Sequence, residues 1–195
     1  MKKKMNLVGK IGIITFLVIT VACSNGQNRM KKSSEKKSEL TENTIPEFEI
    51  EFPKTDFKVK KTESRNPELG ELLVTNWILQ GKDRNGPFMY FVATNKFPEK
   101  LKNIENTESN SLNIAFQAML TSSAAKLGGT DFEFTEIKYE DFKGMESICK
   151  VFNGDGIIKS RVYKIDNDLF IISAGGKNIN IQSVDKFLNS FRLKK

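Results

Sequence analysis

The sequence of 195 residues contains no histidine. Histidine is the commonest general base at active sites and the commonest transition-metal ligand, so chemistry that depends on an imidazole is excluded. Carboxylates can also act as general acids or bases, and the candidates are Glu133, Glu136, Glu140 and Asp141. Their spacing along alternating strands is more typical of a solvated face. The sequence therefore predicts no catalytic residue, no metal site and no cofactor.

Cysteine is nearly absent as well, since the chain has two, Cys23 and Cys149. So few cysteines exclude the disulfide framework found in many small secreted domains. Cys149 lies in the alternating run Glu146–Val151, which predicts a strand. A thiol nucleophile needs a neighbouring base, and the commonest one is missing. We therefore interpret Cys149 as a small core residue.

The sequence also lacks an apolar run long enough for a durable membrane span. The stretch from Ile11 to Ala22 has twelve residues. As a helix it would cover roughly 18 Å of a bilayer core that is about 30 Å thick. Lysines precede it at positions 2, 3, 4 and 10. A basic start, a short apolar segment and a small residue at its end are typical of a signal peptide, so residues 1–22 are predicted to be removed.

The end of this segment, Thr20-Val21-Ala22-Cys23, resembles the lipobox of bacterial lipoproteins. Three residues match, whereas Thr20 stands where leucine, valine or isoleucine is usual. The resemblance implies that the Cys23 thiol carries a diacylglyceryl group, that cleavage precedes Cys23, and that the new amine is acylated. Two or more acyl chains anchor a protein stably, whereas one binds a bilayer marginally. A plain cleaved signal peptide and an uncleaved amino-terminal anchor stay open as alternatives.

The formal charge of +7 overstates how basic the processed chain would be. Four of the 31 lysines and arginines, and no acidic residue, lie before Cys23. The remaining 27 basic and 24 acidic residues give a charge of +3. A nucleic-acid-binding protein needs a basic stripe or patch. We therefore expect no nucleic-acid partner.

Residues 23–53 are predicted to be the lipidated cysteine and a polar tether. From Ser24 to Asn43 the chain mixes Lys, Glu, Ser and Asn with almost no apolar residue. Such a segment cannot bury enough surface to offset its chain entropy. The run Glu47–Pro53 then alternates Phe and Ile with Glu. We interpret this run as an extended lead-in that docks on the domain.

Residues 54–195 are predicted to form one α+β domain. Apolar residues alternate or form short runs between turn residues, which indicates antiparallel hairpins. The predicted strands lie near Phe57 and Val59 and at 70–80, 87–95, 132–135, 142–152, 157–165 and 169–174. The predicted turns lie at 81–86, 153–156 and 166–168. This turn spacing favours a twisted, mostly antiparallel sheet over parallel βαβ units.

Two principal helices are predicted to pack against this sheet. The first has apolar residues at helical spacing from Leu112 to Leu127, with Ser109 or Ser111 as its cap and Gly128-Gly129 as its stop. The second begins near Ile181, and its apolar stripe continues through Val184, Phe187, Leu188 and Phe191. Basic residues after it, Arg192, Lys194 and Lys195, are expected to complement the helix dipole.

Three short patterns suggest chemistry, but each has a structural interpretation. Asp166-Asn167-Asp168 begins like a calcium loop without its later glycine and glutamate, and it is typical of a tight turn. Ser123 to Lys126 matches the acylating S-x-x-K of β-lactamases, but the partner motifs S-D-N and K-T-G are missing. Trp77 and Tyr90 could line a ligand pocket, although aromatic residues on central strands usually belong to the core.

Four short segments carry a family resemblance: Gly144–Glu146, Arg161–Tyr163, Asp168–Ile172 and Phe187–Phe191. With the order of the predicted elements, they resemble the PsbP-like α/β/α sandwich of photosystem assembly proteins and of bacterial lipoproteins of the DcrB kind. The resemblance covers about Asp56 to Leu193. It implies a non-catalytic domain used for protein association or assembly. No binding residue of that family maps onto this sequence.

The sequence thus predicts an exported, membrane-anchored lipoprotein whose non-catalytic domain binds or scaffolds a protein in the bacterial cell envelope. The expected partners are the lipid bilayer, through acylated Cys23, and an envelope or surface protein. The expected location is the outer membrane or a periplasm-facing membrane surface, with the cell surface as the alternative. Two other functions stay open: an envelope hydrolase that uses carboxylates, and a surface-exposed adhesion or ligand-binding lipoprotein.

Replacing Cys23 with alanine tests the predicted lipid anchor. Cells fed radiolabelled palmitate should label the wild-type protein, because acyl chains are attached at this cysteine. Cys23→Ala should lose the label, whereas Cys149→Ala, which leaves the lipobox intact, should keep it. Equal labelling of the wild type and Cys23→Ala would contradict the anchor.

Overall fold

The structure is a computed structural model, and it describes residues 46–66, 72–97, 111–125 and 127–194. The predicted signal peptide, Cys23 and the tether up to residue 45 lie outside the described residues. Ser109, Lys126 and Lys195 also lie outside them.

The described residues form nine strands and two α-helices. The strands are β1 (Phe48–Glu49), β2 (Lys60–Asn66), β3 (Leu72–Asp83), β4 (Gly86–Lys96), β5 (Thr130–Tyr139), β6 (Phe142–Val151), β7 (Gly156–Ile165), β8 (Asp168–Lys177) and β9 (Arg192–Leu193). The helices are α1 (Ser111–Ala125) and α2 (Ile181–Asn189). Seven strands make one sheet in the order β2-β3-β4-β8-β7-β6-β5, and β1 pairs with β9. Every pairing among these strands is antiparallel, which confirms the α+β class.

The predicted first strand near Phe57 and Val59 is wrong. Both residues are exposed and precede β2, which begins at Lys60. The sequence of β2, KKTESRN, is polar on both faces, so it carries no apolar alternation that would reveal a strand. Phe57 packs instead against Phe88 and over Gly81. A Cβ added to Gly81 would lie only 2.7 Å from the Phe57 ring.

The two helices pack on opposite faces of the sheet. Helix α1 lies over β5, β6 and β7, whereas α2 lies over β7 and β8. Along β8 the side chains alternate between the two faces, as expected for a strand buried on both sides. Leu169 and Ile171 join the core under α1, and Phe170 and Ile172 join the core under α2. We refer to these surfaces as the α1 face and the α2 face.

A cluster of charged groups holds α2 against the sheet. The Lys159 ammonium lies 3.1 Å from Glu146 Oε1 and 2.8 Å from Asp185 Oδ1 of the helix. Arg161 donates hydrogen bonds to Glu146 Oε2 at 2.7 Å and to Asn189 Oδ1 at 2.9 Å. Burial lowers the pKa of Lys159, but its hydrogen bonds and the two negative charges outweigh burial and raise it. The cluster therefore fixes the side of α2 that faces β6 and β7.

Residues 46–52, which we call the amino-terminal arm, pack along the α2 face. The backbone of Glu47 accepts a hydrogen bond from Lys194 N–H at 2.9 Å, and β1 pairs with β9. The Phe48 ring lies 4.9 Å from Trp77 and 5.9 Å from Phe191, measured between ring centroids. The interpretation of Glu47–Pro53 as an extended segment that docks on the domain is thus confirmed for this arm.

Replacing Phe48 with alanine should destabilise the domain. The free energy of unfolding should fall by about 2–3 kcal/mol, below the range of roughly 3–5 kcal/mol for fully buried phenylalanine, because Phe48 is half-buried. Phe57→Ala, at an exposed phenylalanine, should cost less than about 1 kcal/mol. Urea denaturation measures both values. Equal values for the two variants would show that Phe48 contributes no more to stability than an exposed phenylalanine.

Candidate functional site

An open groove of about 1350 Å³ lies on the α2 face. We call it the arm groove. One wall is the amino-terminal arm with residues from the carboxy-terminal end of the chain, and the other wall is β2. The floor is formed by Leu73, Thr75 and Trp77 of β3 and by Thr94 of β4. The odd-numbered positions of β3 share one face of the strand, so these three side chains point into the groove together.

The groove floor combines apolar surface with one buried hydroxyl group that has no partner among the described residues. Leu73 is 46% exposed and adds apolar surface to the floor. Trp77 is half-buried, and the Lys61 ammonium lies 5.6 Å from its ring centroid, within reach of a cation–π interaction. Thr94 is 1% exposed and pairs across the ladder with Thr75. Its Oγ1 has no hydrogen-bond partner among the described residues.

The walls of the groove carry charges of both signs. The arm contributes three glutamates at positions 47, 49 and 51, and the carboxy-terminal residues opposite contribute Arg192 and Lys194. Lys194 lies 3.2 Å from Glu47, and Lys61 of β2 lies 3.5 Å from Glu63. These pairs are solvent-exposed, so each contributes little to stability. Their charges are accessible to a bound partner.

The structure separates Trp77 from Tyr90, which the sequence analysis placed together as a possible pocket lining. Both side chains lie on the α2 face, but Tyr90 is buried and packs edge-on against Phe187 at 5.1 Å. Burial, followed by the charge of Asp83, raises the pKa of Tyr90. Trp77 lines the arm groove, whereas Tyr90 belongs to the core under α2.

The four candidate carboxylates do not converge. Glu133 and Glu136 lie on opposite faces of β5, and Glu140 and Asp141 form the turn between β5 and β6. Glu136 accepts a hydrogen bond from Asn113 at 2.5 Å. Within the ranges that the structure describes, no three cysteine or acidic residues are grouped so as to hold a metal ion.

The Asp166–Asp168 stretch is a two-residue turn followed by the first residue of β8. Asp166 is exposed with a positive φ of 51°, as predicted for a tight turn. Asp168 is buried, and its Oδ1 lies 2.9 Å from the Lys96 ammonium. Burial raises the pKa of Asp168, and the hydrogen bond and charge of Lys96 oppose that rise. This carboxylate is held in an ion pair between β4 and β8.

The remaining candidate residues have structural contacts. Ser123 Oγ donates a hydrogen bond to the Met119 carbonyl at 2.9 Å, a local bond within α1. Cys149 is 2% exposed, and burial raises the pKa of its thiol. Arg192 donates a hydrogen bond to the Asn189 carbonyl at 2.7 Å, so its predicted role at the end of the last helix is confirmed.

Sequence reasoning did not identify the arm groove. The predicted strand at 70–80 gave no sign that Leu73 would be exposed, and the strand before it was placed too early in the chain. The one available signal was Trp77, an amphipathic aromatic residue of the kind enriched at interfaces.

No helix among the described residues is both long and apolar enough to cross a bilayer. No protein-family model matches the sequence, and a search of curated proteins finds no match.

The burial of Cys149 predicts that its thiol is unreactive in the folded protein. Its raised pKa lowers the thiolate fraction, and only the thiolate is nucleophilic. In a Cys23→Ala background at pH 8, a thiol reagent should label almost no native protein and nearly all protein in denaturant. Adding Ser183→Cys, at an exposed position of α2, should give one reactive thiol under native conditions. Rapid native labelling of Cys149 itself would contradict this prediction.

Proposed function

We propose that this protein is an exported lipoprotein, anchored through acylated Cys23, whose domain binds an extended segment of another cell-envelope protein in the arm groove. The observation that carries the proposal is the exposure of Leu73 beside Trp77 on the groove floor. Exposed aliphatic and aromatic side chains in a groove with a polar rim are typical of protein-binding sites. The proposed role is binding or scaffolding without catalysis.

An extended polypeptide suits the chemistry of the arm groove. The apolar floor at Leu73 and Trp77 can seat one or two apolar side chains, and the charges on both walls can pair with charged residues on either side of them. A small apolar ligand would leave the charged walls unused.

The arm groove lies next to the segment that leads to the predicted anchor. Its first wall is the amino-terminal arm, the segment that directly follows the predicted tether. A partner bound there would contact the domain at the point where the tether joins it. We place this complex at the outer membrane or a periplasm-facing membrane surface, in agreement with the lipobox resemblance. The PsbP-like resemblance also favours association or assembly over catalysis.

Photo-cross-linking at two equally exposed residues tests the proposal. Leu73 and Ile114 are 46% and 45% exposed, but Ile114 lies on α1, far from the groove. A photoreactive amino acid at position 73 should give a discrete cross-linked complex with an envelope protein in living cells. The same amino acid at position 114 should give none. Mass spectrometry of the complex should identify an extended, partly apolar peptide of the partner.

Aspartate substitutions at the same two positions, 73 and 114, test the proposal through loss of partner binding. Leu73→Asp should reduce copurification of the cross-linked partner by about tenfold or more, because a charge would be desolvated on the apolar floor. Ile114→Asp should leave copurification unchanged. Identical complexes from positions 73 and 114, or no effect of Leu73→Asp, would overturn the assignment of this groove.

A further inference from the structure

A second cavity lies at the other end of the sheet, on the α1 face, and is separate from the arm groove. Its volume is about 400 Å³, within the range of roughly 300–1,000 Å³ that is usual for small-molecule sites. Gly175 of β8 forms its floor between Met89 of β4 and Ile158 of β7, to which it is paired in the ladder. We call this cavity the apolar trough.

The trough exists because α1 stops short of this end of the sheet and because Gly175 has no side chain. Helix α1 ends at Ala125, so it does not extend over Gly175. Gly175 has no side chain to fill the space, and an added Cβ would lie 2.7 Å from Ile158 Cγ1. Two apolar side chains form the walls, and both face solvent: Leu127 is 37% exposed and Phe152 is 41% exposed.

The backbone at Phe152 is strained, and this conformation places the ring beside the trough. Phe152 has a φ of 53°, in a region that bulky residues rarely adopt. An added Cβ at Gly156 would lie 2.8 Å from Phe152 Cδ2, so the ring rests on the sheet backbone. The next two residues, Asn153 and Gly154, have positive φ values as well and reverse the chain into β7. Residues held in such conformations are concentrated at ligand-binding sites.

The lining of the trough is uncharged, and two lysines lie beyond its outer end. Gln80 is the one polar side chain among the described residues that line it. Two positions further along β3, Lys82 lies opposite Pro87, another lining residue. Lys177 follows Gly176 on β8. The Lys177 side chain packs against the first residue of β4, since a Cβ added to Gly86 would lie only 2.9 Å from the Lys177 Cβ. Asp155, 3.2 Å from the Lys177 ammonium, balances part of this charge.

We propose that the apolar trough binds a long-chain fatty acid. Its hydrocarbon chain would lie on Gly175 between Leu127 and Phe152, where it meets no charged side chain. Its carboxylate would lie at the outer end, near Lys82 and Lys177. An apolar interior with a basic mouth matches a single-chain anionic amphiphile and disfavours a neutral polar ligand or a cation. This site is independent of the proposed protein-binding groove.

Photoaffinity labelling of the full-length chain in neutral phosphatidylcholine vesicles tests the proposal. The probes are palmitate with a diazirine near the middle of its chain and hexadecanol with the same diazirine. Peptide mapping should place the palmitate label on the segments that contain Leu127 and Phe152. Hexadecanol should label these segments at least about threefold less, because it lacks the anionic head.

Three variants separate the trough from non-specific contact with lipid. Phe152→Gly removes one wall and should fold normally, because glycine adopts positive φ without strain; it should reduce palmitate labelling by about tenfold. The double variant Lys82→Gln and Lys177→Gln should lower palmitate labelling to the level of hexadecanol. Ile114→Ala, at an exposed apolar residue of α1 that does not line the trough, should leave palmitate labelling unchanged.

Three outcomes would overturn the proposal. Labelling that is spread over the surface, or that is the same in Phe152→Gly as in the wild type, would show contact with the bilayer alone. Equal labelling by both probes, with no effect of the lysine substitutions, would show that a neutral chain is the ligand. Absence of label from the trough would show that no fatty acid binds there.

Discussion

Burial of β8 on both faces is the constraint on which the rest of the structure depends. Every residue from Asp168 to Gly176 is buried. The side chains point alternately to the two faces of the sheet, so each face needs an apolar layer that covers it. Helix α1 completes the layer that contains Ile171, and α2 with the amino-terminal arm completes the layer that contains Phe170. The two cavities occur where these layers end: the arm groove beside the arm, and the apolar trough beyond the last turn of α1.

One wall of the arm groove packs against the core. The Phe48 ring centroid lies 6.0 Å from that of Phe170, the aromatic residue of β8, and 5.9 Å from that of Phe191 beyond α2. The charged cluster of Lys159, Glu146 and Asp185 fixes the other side of α2. A partner in this groove would therefore meet a surface that is largely formed before binding, which reduces the entropic cost of association.

Local patterns predicted the hairpins, because turn residues such as Asn153-Gly154 and Asp166-Asn167 act over a few residues. They did not predict β2, whose polar side chains form a solvated edge, as is common where a sheet must avoid pairing with other molecules. Nor could they predict the arm groove, since its wall requires Phe48 to pair with Leu193 from the opposite end of the chain. Trp77 was recognisable as an amphipathic residue, but the exposure of its neighbour Leu73 depends on which elements cover this end of β3, and no local pattern specifies that.

The pairing of β1 with β9 also determines how the domain would bear mechanical load. A pull on the chain that precedes Pro46 acts on two short strands whose few hydrogen bonds would break one after another, as in a zipper. The seven-stranded sheet would not be loaded until the Phe48 ring had left its site. The arm is thus the first element to yield under tension, and its release would remove one wall of the arm groove while the core stays folded.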